Sequence, residues 1–352
     1  MNRLFRWDQM GLFLLALAAG ILPFAVPEVC AAALREGLTL CSGPLLLSLF
    51  PFLVVSRLLI QCPESDLLAL PFRLAAWGIG IRTPCAARVL CIGFLGGFAP
   101  AASAAAQAVR TGQLTAEEAD ALLPACICSG PSFVVLTVGQ SLLGSAELGV
   151  LLFASQITAN YLTAALLNRF AGVRSVKPES AAPASPAPPR LDEILADAAI
   201  TYCKLCGFIL FFRMLAAGAG ALLPAGAGTL CAILLEVCSG CDLASRTGRW
   251  GSLLCCAALS VQGLSVLLQV RTICPPEMTL RPLYRARLLH LPLSLALFYL
   301  LLPGGEADVF STLPARVLLM RRVPPDCALL VFAGCCMAAC TLRSGIRQVE
   351  QK

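Results

Sequence analysis

The sequence predicts an all-α, multi-pass membrane protein made of two inverted repeats, each with a re-entrant hairpin and a broken helix. Three observations lead to this fold class. The 352-residue chain is 58% hydrophobic and only 13% charged, whereas soluble proteins average about 25% charged residues. Glycine and proline interrupt apolar runs where spanning helices are expected. A weak copy of the pattern in the first half also recurs in the second half.

The apolar runs approach the roughly 20 residues that a helix needs to cross the hydrocarbon of a bilayer. They lie near 10–26, 44–60, 148–167, 205–223, 288–302 and 326–342. With the interrupted runs between them, they predict about nine or ten membrane segments. Arg3 and Arg6 precede the first run as in a signal peptide, but no small-residue cleavage site follows. We therefore interpret 1–44 as an uncleaved transmembrane helix and a short connection.

Charged residues orient the helices rather than form a binding surface. The 26 basic and 20 acidic residues are mostly scattered at segment ends, as in proteins whose partner is the lipid bilayer. No nucleic-acid partner is implied. The sequence contains neither an H-E-x-x-H motif nor a phosphate-binding loop, and no enzyme activity is expected.

The chain has nineteen cysteines, and two pairs of them have the spacing of half a zinc site. Cys203-x-x-Cys206 and Cys238-x-x-Cys241 each place two thiols on one helical face. Their surroundings are apolar, and His290 is the only histidine of the chain. We therefore expect reduced, packing cysteines with no metal, no structural disulfide and no cofactor.

The first repeat is assigned to 45–168. The helix over 45–60 contains Arg57 near its end, and the mixed sequence 62–88 indicates an interfacial amphipathic piece. The segment 89–109 is rich in Gly and Ala, which suits close backbone approach or a re-entrant hairpin. Thr115 and Glu118 form a capping-box pattern that predicts the start of the next helix.

That helix runs into a break at Cys128-Ser129-Gly130-Pro131-Ser132, and a similar pattern follows at Ser260-Val261-Gln262-Gly263-Leu264-Ser265. Lipid cannot satisfy backbone groups that a broken helix frees, so each break must be buried in protein or line a wet cavity. We expect the two breaks to converge near the bilayer midplane around one polar cavity.

A Pro-, Ala- and Ser-rich linker over 169–193 separates the repeats, and the second repeat is assigned to 194–303. Three pairs of short blocks match between the halves. Residues 208–213 echo 52–57 at an offset of 156, Ser239-Gly240 echoes Gly96-Gly97 at 143, and Gly263-Leu264-Ser265 echoes Gly130-Pro131-Ser132 at 133. The falling offset indicates shorter loops in the second half.

Basic residues suggest that the repeats are inverted. With the N-terminus and the linker both cytoplasmic, the helix of Arg57 runs inward and that of Arg213 runs outward. This topology puts Arg281, Arg285 and Arg287 inside and Glu147 outside, but leaves Arg316, Arg321 and Arg322 outside, against the rule. One further helix is expected in the segment 304–352, but the charge rule does not decide on which side of the membrane this segment ends.

Six ordered blocks between 45 and 303 resemble the sporulation integral membrane protein YlbJ family, within the nucleoside-recognition (gate) domain superfamily. They are Ser48-Leu-Phe-Pro-Phe52, Gly93-Phe-Leu-Gly-Gly-Phe98, Cys128-Ser-Gly-Pro-Ser-Phe133, Leu235-Glu-Val-Cys-Ser-Gly240, Gly263-Leu-Ser-Val-Leu-Leu-Gln269 and Tyr284-Arg-Ala-Arg-Leu-Leu-His290. The gate family is similar to the core of concentrative nucleoside transporters. The resemblance implies a cell or spore membrane of a spore-forming bacterium, and transport of a small polar solute.

One block departs from the family pattern. Where the family reads approximately Gly-Tyr-Pro-x-Gly-Ala, this chain has Gly97-Phe98-Ala99-Pro100-Ala101-Ala102, which lacks a hydroxyl and a glycine. The second hairpin retains Glu236, Ser239 and Asp242. Glu236 and Asp242 are the only acidic residues well inside that apolar half. An ionisable group at membrane depth is a functional hypothesis, whereas Asp242 beside Arg246 and Arg249 is equally consistent with an interfacial ion pair.

The first hypothesis is therefore a transporter of a nucleoside-like solute or small anion. Its expected partners are a coupling cation and further copies of the chain in a homo-oligomer. Its expected binding residues are Ser129, Gly130, Pro131, Ser132, Glu236, Ser239, Asp242, Gln262, Gly263, Ser265 and Gln269. The second hypothesis is a structural or assembly factor for the spore envelope that moves no solute. A third, an intramembrane serine protease using Ser265 and His290, lacks the orienting group that such sites need.

Overall fold

A computed structural model describes residues 2–61, 65–172 and 191–302, and this part of the chain is helical without any strand. The helices are α1 Asn2–Ala25, α2 Pro27–Ser42, α3 Pro44–Gln61, α4 Ser65–Leu68, α5 Leu70–Gly78, α6 Pro84–Gly96, α7 Phe98–Arg110, α8 Ala116–Cys126, a π-helix Ser132–Leu142, α9 Ala146–Ala171, α10 Leu191–Leu222, α11 Ala225–Leu235, α12 Val237–Ser245, a short 3₁₀ turn Gly248–Trp250, α13 Gly251–Val261, α14 Gly263–Ile273 and α15 Arg281–Leu301. The linker core 173–190 and the segment 303–352 lie outside the described residues, and so does the further helix expected near 326–342.

The N-terminal segment differs from the expected helix and short connection. After α1, the chain turns by 109° and continues as α2. Pro27 occupies the first turn of α2, where its missing N–H costs nothing and its ring disfavours a helical residue before it. The connection expected before residue 44 is thus itself a helix that packs along α10.

The first hairpin consists of α6 and α7. A Cβ placed on Gly93 would lie 3.2 Å from the Cβ of Ala101. Along one continuous helix these residues would be about 12 Å apart, so the chain must fold back between them. Gly97 makes this turn with a φ of +81°. A helical hairpin is therefore observed around the predicted segment 89–109, and its re-entrant character stays a prediction.

The second hairpin consists of α11 and α12. A Cβ on Gly240 would lie 2.8 Å from the Cα of Ile233, although about 10 Å would separate these positions along a continuous helix. The turn is at Glu236, in extended conformation. The predicted match of Ser239-Gly240 with Gly96-Gly97 was therefore wrong, because the residue at the tip is Glu236. The hairpin tips, Gly97 and Glu236, are offset by 139 positions rather than 143.

Two broken helices follow the hairpins. In the first, the predicted capping box is confirmed: Thr115 accepts from the N–H of Glu118, and Glu118 accepts from the N–H of Thr115. This helix, α8, stops at Cys126 and resumes as the π-helix, leaving a first break over 127–131. In the second broken helix, Gln262 alone separates α13 from α14, and this residue is the second break. Its φ of +66° is left-handed.

The contacts between the halves occur in matched pairs. The second arm of each hairpin packs on the second segment of the other half's broken helix, since α7 contacts α14 and α12 contacts the π-helix. The long helices α9 and α15, which follow the broken helices, pack directly on each other. Each also contacts the first segment of the opposite broken helix, α9 with α13 and α15 with α8.

The described part of the chain has the helices of a membrane protein. Three stretches, Ala146–Ala171, Leu191–Leu222 and Gly248–Ile273, are long and apolar enough to cross a bilayer, and the bent α1–α2 pair adds a fourth candidate. Large apolar side chains are exposed outside the core, among them Phe24, Leu74, Phe170, Leu288 and Leu300.

These candidate spans are fewer than the nine or ten segments expected, because several apolar runs form shorter helices. They are 10 to 17 residues long: Leu49–Ile60, Pro84–Gly96, Ser132–Leu142 and Ala225–Leu235. The run expected at 288–302 is also part of a longer element. It lies in α15, whose first turns carry Arg281, Arg285 and Arg287, so these basic residues are part of the helix.

Candidate functional site

The two breaks meet in the structure. The Nε2 atom of Gln262 donates a hydrogen bond to Oγ of Ser129 at 3.4 Å, and to the carbonyl of Leu259 at 2.7 Å. Ser129 and Gln262 are 133 positions apart, which is the offset that relates the two break patterns. The contact therefore joins two positions that the sequence comparison predicts to be equivalent.

Each hairpin tip packs against the break of its own half. A Cβ on Gly97 would lie 2.7 Å from the backbone N of Gly130, and a Cβ on Gly263 would lie 2.9 Å from the backbone N of Glu236. Real Cβ atoms do not approach backbone this closely, so only glycine allows these contacts. Tip and break thus touch through backbone in both halves. The required glycine is Gly97 of the hairpin in the first half and Gly263 of the broken helix in the second.

A cavity of ≈ 60 Å³, hereafter the polar cavity because predicted polar site residues line it, lies between the first break, the two hairpin tips and α14. It has room for a few water molecules. Five predicted site residues line it: Ser129, Gly130, Ser132, Glu236 and Gln269. The rest of its wall is largely apolar and comes from α3, the first hairpin, the π-helix, α10, α12 and α14, including Leu49, Phe98, Phe133, Ile209 and Val266.

Two amide oxygens at this site have no hydrogen-bond partner among the described residues. They are Oε1 of Gln262 and Oε1 of Gln269, on side chains that are each 1% exposed. The Nε2 of Gln269 donates to Oγ of Ser265 at 2.9 Å. Because buried acceptors without partners are costly, the oxygen of Gln269, which lines the polar cavity, points to an occupant that donates hydrogen bonds or carries positive charge.

Glu236 is engaged by its own helix. Its carboxylate accepts from the N–H groups of Cys238 and Ser239 at 2.8 and 2.7 Å, and from the hydroxyl of Ser239 at 2.9 Å. This is an N-cap of α12 that also satisfies a buried charge. The predicted site residues Glu236 and Ser239 therefore bind each other, although Glu236 still borders the polar cavity.

Asp242 does not reach the polar cavity. Its Oδ2 atom forms an ion pair with Arg246 at 2.7 Å one turn along α12, and both side chains are at least partly exposed. The interfacial interpretation of Asp242 is the one that the geometry favours. Pro131 and Gly263 act through backbone: Pro131 begins the second segment of the first broken helix, and Gly263 allows the approach of the second hairpin.

A buried arginine joins the two broken helices behind the breaks, and this role was not predicted. Nη2 of Arg287 donates to the carbonyl of Ile127 at 2.6 Å, and Nη1 donates to the carbonyl of Ser260 at 3.3 Å. Ile127 and Ser260 are again 133 positions apart, so one guanidinium bridges carbonyls that the sequence comparison predicts to be equivalent. Arg287 is 7% exposed and forms no ion pair within the described residues.

This arginine belongs to a buried polar network between α9, α13 and α15. Asn160 donates to the carbonyl of Ile127 at 3.2 Å and lies 3.5 Å from Arg287. His290 contacts the carbonyl of Gln156 at 3.2 Å, and Gln156 donates to Oγ of Ser260 at 3.0 Å. The network ends at Ser294, whose hydroxyl is 2.5 Å from that of Ser260.

A sequence signal for the network existed in the spacing of polar residues. Arg287, His290 and Ser294 are three and four residues apart, so they share one face of α15. Gln156 and Asn160 are four apart and share one face of α9. Polar stripes on apolar helices indicate interhelical contacts, and these two stripes face each other.

The remaining candidate chemistries do not assemble in the described part of the chain. Ser265 is bonded to Gln269, and His290 to Gln156, so the two are not paired as a nucleophile and base. No group of three or more His, Cys, Asp or Glu side chains there is arranged to hold a metal ion. The absence of bound zinc stays a prediction, to be checked by metal analysis of the purified protein.

Comparison of the chain with family models, curated proteins and solved structures gives no match. The resemblance to the nucleoside-recognition family therefore stays an expectation from the quoted blocks.

Proposed function

We propose that this membrane protein is a carrier for a small polar solute, which binds where the two breaks meet. The single observation that supports this most is the contact between Ser129 and Gln262, equivalent residues of two broken helices, beside a polar cavity. Broken helices at membrane depth are costly unless they serve a buried polar site. The unpartnered amide oxygen of Gln269 fits a solute that donates hydrogen bonds, or a coupling cation.

The pairing of contacts supports two repeats related by a pseudo-twofold axis. Exchange of the halves turns the α7–α14 contact into the α12–π-helix contact, and it leaves the α9–α15 contact unchanged. Such reciprocal contacts are what a twofold relation produces. We infer, with the charge distribution of the sequence, that this axis lies in the membrane plane and that the repeats are inverted, each with a re-entrant hairpin.

The size of the polar cavity favours a small solute. Its ≈ 60 Å³ is well below the roughly 300 Å³ at which pockets for drug-sized ligands begin, so a nucleoside needs the hairpin tips to move apart. Each tip is held to its break by a glycine contact rather than by a network of side chains. A hinge at Gly97 or Glu236 would therefore open the site from one side at a time, as alternating access requires.

A second candidate function is a structural or assembly factor of the spore envelope. It is favoured by one observation: Glu236 and Asp242, the acidic residues of the second hairpin, are both satisfied within α12. On this alternative, the breaks are packing elements and no solute moves. The chain would still lie in the cell or spore membrane of a spore-forming bacterium.

Uptake into liposomes by the purified protein tests the first proposal against the second. The panel contains nucleosides, small carboxylic acids and inorganic anions, each with and without a sodium or proton gradient. Gln269→Leu, which removes a polar group of the cavity, should reduce uptake at least tenfold while melting temperature changes little. Gln140→Leu, at an exposed position of the π-helix, is the matched control and should keep uptake. If no solute of the panel enters with the unmodified protein, the carrier proposal fails for these classes and the structural factor is favoured.

A further inference from the structure

A second cavity, the outer cavity, lies near the ends of α3, α7 and α14, beside α10. Its volume is ≈ 170 Å³, nearly three times that of the polar cavity. Its polar lining consists of Arg57, Ser103, Arg110, Asp197, Thr201, Lys204 and Thr272. None of these residues was expected to form a site.

The lining has an excess of positive charge. Arg57 is paired with Asp197, with Nη1 and Oδ2 at 2.5 Å, so these two charges offset each other. Arg110 and Lys204 are exposed at the same cavity and form no ion pair with a described residue. Two uncompensated cations therefore face one cavity that is open to solvent, which attracts anions.

The hydroxyl groups of the lining add a donor. Ser103 is 3% exposed and has no hydrogen-bond partner among the described residues, although it lines the outer cavity. Thr201 and Thr272 donate instead to carbonyls of their own helices, at 2.8 Å each. A buried, unpartnered hydroxyl beside two cations is suited to an oxyanion, which accepts hydrogen bonds at several oxygens.

The outer cavity also lies one helical turn from the polar cavity on two shared helices. On α14, Gln269 lines the polar cavity and Thr272 lines the outer one. On α10, the corresponding residues are Ile209 and Leu205. Steps of three and four residues correspond to a rise of about 5 Å along each helix, so the cavities are neighbours along one direction.

We propose that the outer cavity binds a small oxyanion of the size of inorganic phosphate, held by Arg110, Lys204 and the hydroxyl of Ser103. The binding itself does not depend on transport. The anion bound here need not be the transported solute, so the site is proposed independently of the carrier function. The depth of Ser103, which is 3% exposed, favours a freely diffusing anion over a lipid headgroup.

Binding of radiolabelled phosphate to the detergent-purified, delipidated protein tests the proposal, with chloride solutions of equal ionic strength as the reference. Saturable binding is expected for the unmodified protein. The double variant Arg110→Gln/Lys204→Gln should weaken it about tenfold or more, since two charge-assisted contacts are lost. Ser103→Ala should weaken it by a smaller factor. The matched control, Arg169→Gln/Arg249→Gln, removes two exposed charges elsewhere and should leave binding unchanged.

Each other outcome contradicts the proposal. Equal loss of binding in both double variants would mean a general charge effect and no site. Stabilisation by phosphatidylglycerol vesicles without any phosphate binding would assign the cavity to lipid headgroups and overturn the free-anion site. These results can be separated from failure of the carrier proposal, because uptake of uncharged solutes, sensitive to Gln269→Leu, depends on the polar cavity alone.

Discussion

The side chains of Ser129 and Gln262, which are 133 positions apart in the chain, touch at 3.4 Å. Each sits where a helix is interrupted, and each interruption is covered by the tip of a hairpin. The geometry of the site is therefore the meeting of two local breaks. Under the proposed twofold relation, equivalent residues meet only near the axis, so this contact is where the proposal places the site.

A double-mutant cycle measures this contact directly. Ser129→Ala and Gln262→Asn each remove one partner, and asparagine tolerates the left-handed conformation of residue 262 while being too short to keep the bond. Unfolding free energies of the single and double variants should show a coupling of about 0.5 kcal/mol or more. The pair Ser129→Ala and Gln140→Asn, whose residues are not bonded, serves as the control and should be additive. Additivity in both pairs would mean that the breaks do not touch.

The glycine contacts of the hairpin tips predict unequal effects of two alanine substitutions. Gly263→Ala and Gly112→Ala both replace a glycine with a φ of +70°, but only the Cβ at 263 meets backbone, at 2.9 Å from the N of Glu236. Gly112→Ala should cost about 1 kcal/mol from backbone strain, and Gly263→Ala about 2–4 kcal/mol in total. Thermal unfolding in detergent provides the comparison. Similar costs at both positions would show that the second hairpin does not approach its break as described.

Arg287 should be needed to hold the two broken helices together. Removing its guanidinium takes one hydrogen-bond donor from the carbonyl of Ser260 and one from the carbonyl of Ile127. Arg287→Ala should therefore lower the unfolding free energy by about 2–4 kcal/mol. Guanidinium ion at low, non-denaturing concentration should restore part of the melting temperature of this variant. Arg285→Ala, on the exposed side of the same helix, should show neither effect. Absence of rescue, with Arg285→Ala equally destabilising, would contradict a specific bridging role.

Glu236 should act as a helix cap and not as a charged ligand. Glu236→Ala removes an acceptor for two backbone N–H groups of α12 and should cost about 1–2 kcal/mol. Glu236→Gln keeps an acceptor oxygen, so it should lower the unfolding free energy by less than half of that amount. Solute uptake should be retained. A loss of uptake of tenfold or more in the Gln variant at unchanged melting temperature would instead assign the carboxylate to the solute.

The local features of the site could be predicted from the sequence because their causes are local. Glycine and proline at 130–131 interrupt a helix wherever they stand in an apolar run, and Thr115 with Glu118 caps a helix through contacts three residues apart. The Gly- and Ala-rich segment 89–109 indicated close approach for the same reason. The position of the second hairpin tip, Glu236, is four residues from the predicted match at Gly240, because the place of the turn depends on packing.

The partners of the charged residues could not be predicted in the same way. Asp242 and Glu236 both lie in one apolar half, yet one pairs with an exposed arginine and the other caps α12. Arg287 follows other arginines in the sequence and was grouped with them as a cytoplasmic charge, but it is buried between carbonyls. Whether a charge faces solvent or the interior depends on the rotation of its helix against neighbours, which composition does not specify.

The sequence by itself determined a helical membrane protein with two breaks, because hydrophobicity, glycine and proline act on the chain within a few residues. Only the tertiary structure decided that the breaks meet, that Arg287 bridges Ile127 and Ser260, and that Arg110 and Lys204 share one cavity. The decisive side-chain contacts join residues 127 to 160 positions apart. Contacts of that range depend on how whole helices pack, and no local pattern fixes the packing of helices that are apolar on nearly every face.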